Sequence, residues 1–166
     1  MSKLKTSHIV LAVLLLLPTV PGQHVAVAAQ EQRDEWSLAT LNGEFALVGT
    51  YGANVARLLG TYVVDGQGNL SGSGRINLPG PGGQRVIVDI SFEGTYTVEA
   101  DGTGTTSLMV TLPGGATLQT TTDFVVTKST RLRGVRVATE IASAQREPST
   151  VLGGAFVTFV STRRSD

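Results

Sequence analysis

The most constraining feature of this chain is residues 85–98, where apolar and polar side chains alternate at every position except Ile87. The apolar set consists of Val86, Val88, Ile90, Phe92, Gly94, Tyr96 and Val98. Because successive side chains of a β-strand point to opposite faces, this period of two predicts a long strand with one buried face. Gly94 marks the place where such a strand could bend.

Similar patterns of threonine, valine and aromatic residues recur from Gly43 onward, with turn signals about every 8 to 12 residues. They predict eight strands, at about 43–50, 56–64, 69–77, 85–98, 103–112, 117–127, 131–140 and 153–162. The Asp-Gly pairs at Asp65 and Asp101 are strong hairpin signals because glycine accepts positive φ. Longer connections are expected at 78–83 and 141–152.

Eight sequential antiparallel strands would leave two open edges in a flat sheet, and closure into a barrel removes both. Glycines recur at strand positions where a small barrel must bend: Gly49, Gly60, Gly72, Gly74, Gly94, Gly134 and Gly154. The sequence therefore predicts one all-β domain over residues 43–163, an eight-stranded antiparallel up-and-down barrel. A β-sandwich is the alternative. The interior of such a barrel holds packed side chains or one small ligand.

The N-terminus has the three parts of a secretory signal peptide. Lys3 and Lys5 supply positive charge, residues 9–17 form an apolar run, and small residues follow at 26–29. The run is too short to span a bilayer. Residues 1–29 are therefore expected to be cleaved after Ala28 or Ala29, which predicts a secreted or periplasmic protein with no stable membrane anchor.

The segment that follows, residues 30–42, is polar and then weakly amphipathic. It is expected to form a linker or a short helix that ends near Asn42-Gly43, with Trp36 and Leu38 packed on the main body. A disordered tail is the alternative.

Composition removes most catalytic chemistry from the exported part of the chain. The chain has no cysteine, both histidines (His8 and His24) lie in the predicted signal peptide, and Lys128 is the one lysine beyond it. The usual metal ligands, nucleophiles and general bases are therefore missing, and no catalytic residue, metal or cofactor is predicted. The near-balanced charge gives no basic footprint for nucleic acid.

Aromatic residues on the predicted strands are the candidates for contact with a ligand. They are Phe45, Tyr62, Phe92, Tyr96 and Phe124. Plain core packing is the alternative for all five. Arg136 is a sixth candidate, since an inward-facing arginine would need an anionic partner such as a ligand carboxylate or Glu140. The opposite phase of its strand, Val135 and Val137, is the more apolar one.

Residues 92–105, FEGTYTVEADGTGT, together with 41–45, LNGEF, resemble a group of uncharacterised exported bacterial small β-barrel proteins. The resemblance extends over nearly the whole exported chain and implies a barrel that is broadly calycin-like, or similar to the barrel of allene oxide cyclases. It implies no activity. The first strand carries Gly43-Glu44-Phe45 where lipocalins have Gly-x-Trp.

Three functions are compatible with these features. The first is an exported, non-catalytic barrel that binds a small apolar molecule. The second is a structural or oligomerising protein of the cell envelope, because the last strand is apolar on both faces at residues 156–160 and needs a cover there. The third is an enzyme with cyclase or isomerase chemistry that depends on shape more than on strong bases.

Overall fold

The computed structural model describes residues 35–52, 56–148 and 155–164. Their strands are β1 Asn42–Tyr51, β2 Ala56–Asp65, β3 Asn69–Pro79, β4 Arg85–Val98, β5 Thr103–Thr111, β6 Thr117–Leu132, β7 Val135–Gln145 and β8 Val157–Arg163. Each strand pairs antiparallel with the next, and β8 pairs with β1, so the sheet is a closed barrel in up-and-down order. The predicted barrel is confirmed, and the sandwich alternative is wrong. The predicted signal peptide, residues 1–29, lies outside the described residues.

The alternation of β4 separates the inside of the barrel from the outside. Ile90, Phe92 and Tyr96 are buried, whereas Asp89 and Glu93 between them are exposed. The same period of two fills the interior from the other strands, so the core is a single cluster inside the barrel. The acidic residues of β4 therefore face solvent, as the sequence predicts.

Glycines allow the strands to bend at positions where neighbouring strands approach closely. Gly60 and Gly74 lie directly opposite each other on β2 and β3. A Cβ atom on Gly60 would lie 2.5 Å from the carbonyl oxygen of Ser73, a separation that no side chain tolerates. These positions bend the sheet because they carry no side chain. Of the other predicted bends, Gly154 lies outside the described residues.

The β6–β7 hairpin is displaced from its predicted position. The sequence analysis ends β6 at 127 and places β7 at 131–140, but the turn consists of Arg133 and Gly134 alone, and Leu132 pairs with Val135. Both turn residues have positive φ, 51° and 81°, as in a two-residue turn that matches the strand twist. Gly134 is therefore a turn residue and not a bend. β7 extends to Gln145, into the segment predicted as loop.

The N-terminal segment closes one end of the barrel. Its 3₁₀ helix, Leu38–Thr40, precedes β1, and Trp36 and Leu41 are buried. The Trp36 backbone N–H donates to the carbonyl of Ala100 at 3.3 Å, and the Tyr96 hydroxyl contacts the Leu41 carbonyl at 3.1 Å. Among the described residues, no helix has the length and apolar character needed to cross a bilayer.

Candidate ligand-binding cavity

The interior of the barrel contains a cavity of about 120 Å³. Its lining is apolar on one side, and on the other side polar residues are mixed with the apolar Leu118, Val157 and Phe159. The apolar wall comes from β1 to β5 and includes Leu47, Leu58, Leu70, Ile76, Val88, Ile90, Phe92, Leu108 and Val110. The polar wall comes from β5 to β8 and includes Thr106, Thr120, Thr122, Ser143, Gln145 and Ser161. The cavity is therefore amphipathic, a common property of small-molecule sites.

The N-terminal segment covers the cavity at one end, and the residues that the structure describes leave the other end uncovered. The inward-facing residues of β4 record this gradient: Tyr96 is 4% exposed and Phe92 is 7% exposed, whereas Val86 is 43% exposed. The uncovered end carries the β3–β4 connection, with its 3₁₀ helix Pro81–Gly83, and the β5–β6 turn. The β1–β2 and β7–β8 connections lie at the same end, and their residues 53–55 and 149–154 are outside the described part of the chain.

Two of the predicted aromatic residues, Tyr62 and Phe92, line the cavity. Tyr62 stacks on Phe45, with ring centroids 5.4 Å apart, and lies 6.5 Å from the ring of Phe92. Gly72 sits between Tyr62 and Phe92 in the strand register, and a Cβ there would lie 2.7 Å from the Phe92 ring. The glycine thus makes room for both rings. Phe45 lies behind them, fully buried and outside the cavity lining.

Tyr96, Phe124 and Arg136 lie outside the cavity lining. Tyr96 is bonded to the N-terminal segment, and the Phe124 ring packs over Gly104. Arg136 stacks over the ring of Trp36, with its Cζ atom 4.2 Å from the ring centroid, as in a cation–π contact. Arg136 therefore lies on the outside of the sealed end, where it cannot pair with a ligand carboxylate in the lumen.

Hydrogen bonds fix most groups of the polar wall. The Thr106 and Thr122 hydroxyls bond to each other. The Gln145 Nε2 donates to Thr120 Oγ1 at 2.7 Å. The Oε1 atom of the same amide is buried and accepts no hydrogen bond from the described residues. Buried acceptors without a donor are rare, which makes this atom a candidate contact for a bound molecule.

The sequence analysis missed this polar wall. It used threonine only as a general strand signal, and it placed Gln145 in the longer connection at 141–152. The sequence carries no clear signal here, because the inward-facing Ser143 and Gln145 are more polar than the outward-facing Ala142 and Ala144.

The cavity is electrically neutral. Of the described residues that line it, none is a carboxylate, lysine, arginine or histidine. Burial raises the pKa of Tyr51 to about 12, and it raises the pKa of Tyr62 to about 12 against the opposing hydrogen bond with Ser161. Both phenols are therefore uncharged at neutral pH. The lining offers shape, apolar surface and neutral hydrogen-bonding groups.

Several exposed carboxylates have partners on the outer surface or in turns. Asp89 pairs with Arg75 at 2.8 Å on the outer face of the sheet. Asp65 accepts hydrogen bonds from Gln67 and Asn69 within the β2–β3 turn, and these bonds, the Asn69 side chain foremost, lower the pKa of its carboxyl. The described residues contain no group of three or more histidine, cysteine or acidic side chains that could hold a metal ion.

Comparison with known proteins adds no family. The sequence matches no protein-family model and no curated protein. The class that the structure defines is an eight-stranded, antiparallel, up-and-down β-barrel with one sealed end and an amphipathic lumen.

Proposed function

We propose that this protein is an exported, non-catalytic β-barrel that binds a small, mostly apolar molecule in its lumen. The observation that carries the proposal is the cavity, which is mostly apolar, covered at one end by the N-terminal segment and left uncovered at the other by the residues that the structure describes. A barrel whose interior were filled by side chains would support no such function. The calycin-like resemblance of residues 92–105 agrees with the proposal and stays a prediction.

The cavity volume bounds the ligand. An engineered apolar cavity of about 150 Å³ holds benzene, so about 120 Å³ accommodates one ring or a short chain, and a longer ligand would extend beyond it. Burying about 200 Å² of ligand surface at about 25 cal/mol per Å² contributes about 5 kcal/mol. This corresponds to a dissociation constant on the order of 0.1–1 mM for a minimal probe.

Toluene binding tests the lumen directly. The exported chain is titrated with toluene while its methyl resonances are followed by heteronuclear NMR. Val110→Trp fills the cavity from β5, whereas Met109→Trp places the same side chain on the exposed neighbouring position. We expect the first variant to lose binding and the second to keep it. Equal affinity in both variants, or no binding by the wild-type chain, would overturn the proposal.

Native mass spectrometry of protein from an exporting bacterial host complements this test. An added mass that disappears on denaturation identifies the natural ligand. The same preparation tests export, since the signal peptide in residues 1–29 predicts a mature chain that begins at Ala29 or Gln30. A retained N-terminus would contradict the exported location.

A second candidate function, self-association, is favoured by the outer face of the barrel. An uncharged row crosses β6, β7, β8, β1 and β2 in direct register, and it consists of Val125, Ala142, Val160, Val48 and Leu59. Leu59, Val48 and Val160 are 62%, 54% and 48% exposed. This row lies on the outer face of the last strand, where the sequence analysis expects a cover. We propose a second copy of the chain as its partner, because the row contains no charged side chains that would repel each other in a dimer.

The size of this row sets the expected strength of the dimer. Five strands about 4.8 Å apart make it about 19 Å long. The flanking rows are alanine and threonine at their centres on β7, β8 and β1, with the charged residues Asp123, Arg57 and Glu140 toward their ends. With these rows the face is roughly 20 Å square, at the low end of specific interfaces. We therefore expect a weak, concentration-dependent dimer in sedimentation equilibrium. Val160→Lys should abolish it, and Met109→Lys, on β5, should not. A monomer at every concentration would refute self-association.

A further inference from the structure

The polar wall of the cavity holds one amide in a fixed position with an unused acceptor. Gln145 is anchored through its Nε2 atom, which donates to Thr120 Oγ1 at 2.7 Å. That bond points the other amide atom, Oε1, into buried space where no described residue donates to it. Because Gln145 also lines the cavity, a ligand in the lumen contacts this side chain, and a small shift of the buried amide brings Oε1 to the ligand.

The hydroxyl groups around Gln145 restrict what the ligand can present there. Thr106 and Thr122 bond to each other, and Tyr62 bonds to Ser161. A ligand hydroxyl suits this wall because it both donates and accepts: it donates to Gln145 Oε1 and can accept from a hydroxyl of the same wall.

Charge excludes the other common head groups. The oxygens of a carboxylate only accept hydrogen bonds, so they would repel Oε1. Among the described residues, no cation lines the cavity to compensate. An ammonium group would donate to Oε1, but it would be desolvated without a counter-ion. A pure hydrocarbon would leave the acceptor unpaired.

We propose that the ligand of the lumen is a neutral alcohol or phenol whose hydroxyl donates to Gln145, while its apolar part packs on the wall formed by β1 to β5. This inference rests on the proposed function and adds the chemical class of the ligand. It makes Gln145 the residue that determines specificity.

Four ring-sized probes separate these possibilities: phenol donates and accepts, anisole only accepts, toluene does neither, and benzoate is charged. The exported chain is titrated with each probe, and dissociation constants are taken from the methyl resonances. We expect phenol to bind at least as tightly as toluene and more tightly than anisole, with no binding of benzoate. In an apolar cavity without a partner, phenol would bind far more weakly than toluene because its hydroxyl would lose hydration.

The matched variants are Gln145→Met, within the cavity, and Gln119→Met, on the exposed face of the neighbouring strand. Gln145→Met should weaken phenol binding about tenfold and leave toluene binding within about twofold, the effect of one hydrogen bond. Gln119→Met should behave like the wild type. Thr120→Val removes the hydrogen-bond acceptor that anchors the amide, so it should reduce the preference for phenol over toluene. This variant tests the same inference if Gln145→Met does not fold.

The outcomes distinguish the two proposals. A preference for phenol that survives both Gln145→Met and Thr120→Val would overturn the assignment of the hydroxyl to Gln145. Binding of toluene with weaker or absent binding of phenol would overturn the ligand class and leave the apolar lumen in place. Absence of binding by every probe would overturn the proposed function itself.

Discussion

Replacing Tyr96 with phenylalanine tests whether the N-terminal segment is an integral seal of the barrel. The hydroxyl of Tyr96 donates to two carbonyl oxygens of that segment, at 3.1 Å to Leu41 and 3.3 Å to Leu38. The ring is buried, so Tyr96→Phe keeps the packing and removes only the donor. The carbonyl of Leu41, a buried residue, then loses this donor.

The expected cost follows from that carbonyl. A shared hydrogen bond contributes about 1 kcal/mol, and a buried acceptor left unpaired costs about 1–3 kcal/mol. We therefore expect Tyr96→Phe to lower the free energy of unfolding by about 1–3 kcal/mol. For a domain of this size the melting temperature should fall by about 3–4 °C for each kcal/mol.

The assay uses the single tryptophan of the chain, which lies in the sealing segment. Urea unfolding is followed by Trp36 fluorescence, which reports on the seal, and by far-ultraviolet circular dichroism, which reports on the sheet. In the variant, the fluorescence midpoint should move to lower urea by at least as much as the dichroism midpoint.

The control is Tyr51→Phe, which removes a tyrosine hydroxyl on the opposite side of the lumen. In Tyr51→Phe, the urea midpoint measured by Trp36 fluorescence should shift no more than the midpoint measured by circular dichroism. A Tyr96→Phe variant within about 0.5 kcal/mol of the wild type, or indistinguishable from Tyr51→Phe, would show that these hydrogen bonds do not hold the seal.

Two further predictions concern backbone packing and the tyrosines. A Cβ at Gly94 would lie 1.9 Å from the carbonyl oxygen of Ser107, so Gly94→Ala should destabilise the barrel by more than about 3 kcal/mol in urea unfolding. Gly114→Ala, at φ +87° in open space, should cost only about 1–2 kcal/mol, and equal costs would contradict the close-approach argument. Burial raises the pKa of all three tyrosines, to about 12 for Tyr51 and Tyr62, so tyrosinate absorbance of the native chain should stay low near pH 10–11, where the urea-unfolded chain ionises. Because the native state holds these protons more tightly, stability should fall as the pH rises from about 10 to about 12, and a native titration near pH 10 would refute the burial argument.

The strand pattern was predictable because it follows from local chemistry. The alternation in residues 85–98 requires one buried and one exposed face, whatever the strand packs against. The Asp-Gly turns at Asp65 and Asp101 carry their own signal, since the carboxylates accept hydrogen bonds from backbone N–H groups two residues on. Closure followed from counting sequential strands with short turns.

The β6–β7 hairpin was predicted wrongly because its turn lacks a strong local signal. Arg133 adopts φ 51°, which a non-glycine residue reaches only when the flanking strands impose it. The polar residues 128–130 made a more obvious turn in the sequence. That displacement hid Gln145, since a residue in a loop is not expected to face a core.

By itself, the sequence determined the period-two strands, the positions of most turns, the closed barrel and the scarcity of catalytic side chains, because each of these depends on residues that are neighbours in the chain. Only the tertiary structure decided that Trp36 and Leu41 seal one end, that the polar wall gathers on β5 to β8, and that no described residue donates to the buried Oε1 atom of Gln145. Those features depend on the register in which distant strands meet around the barrel, and register is set by the packing of the whole interior.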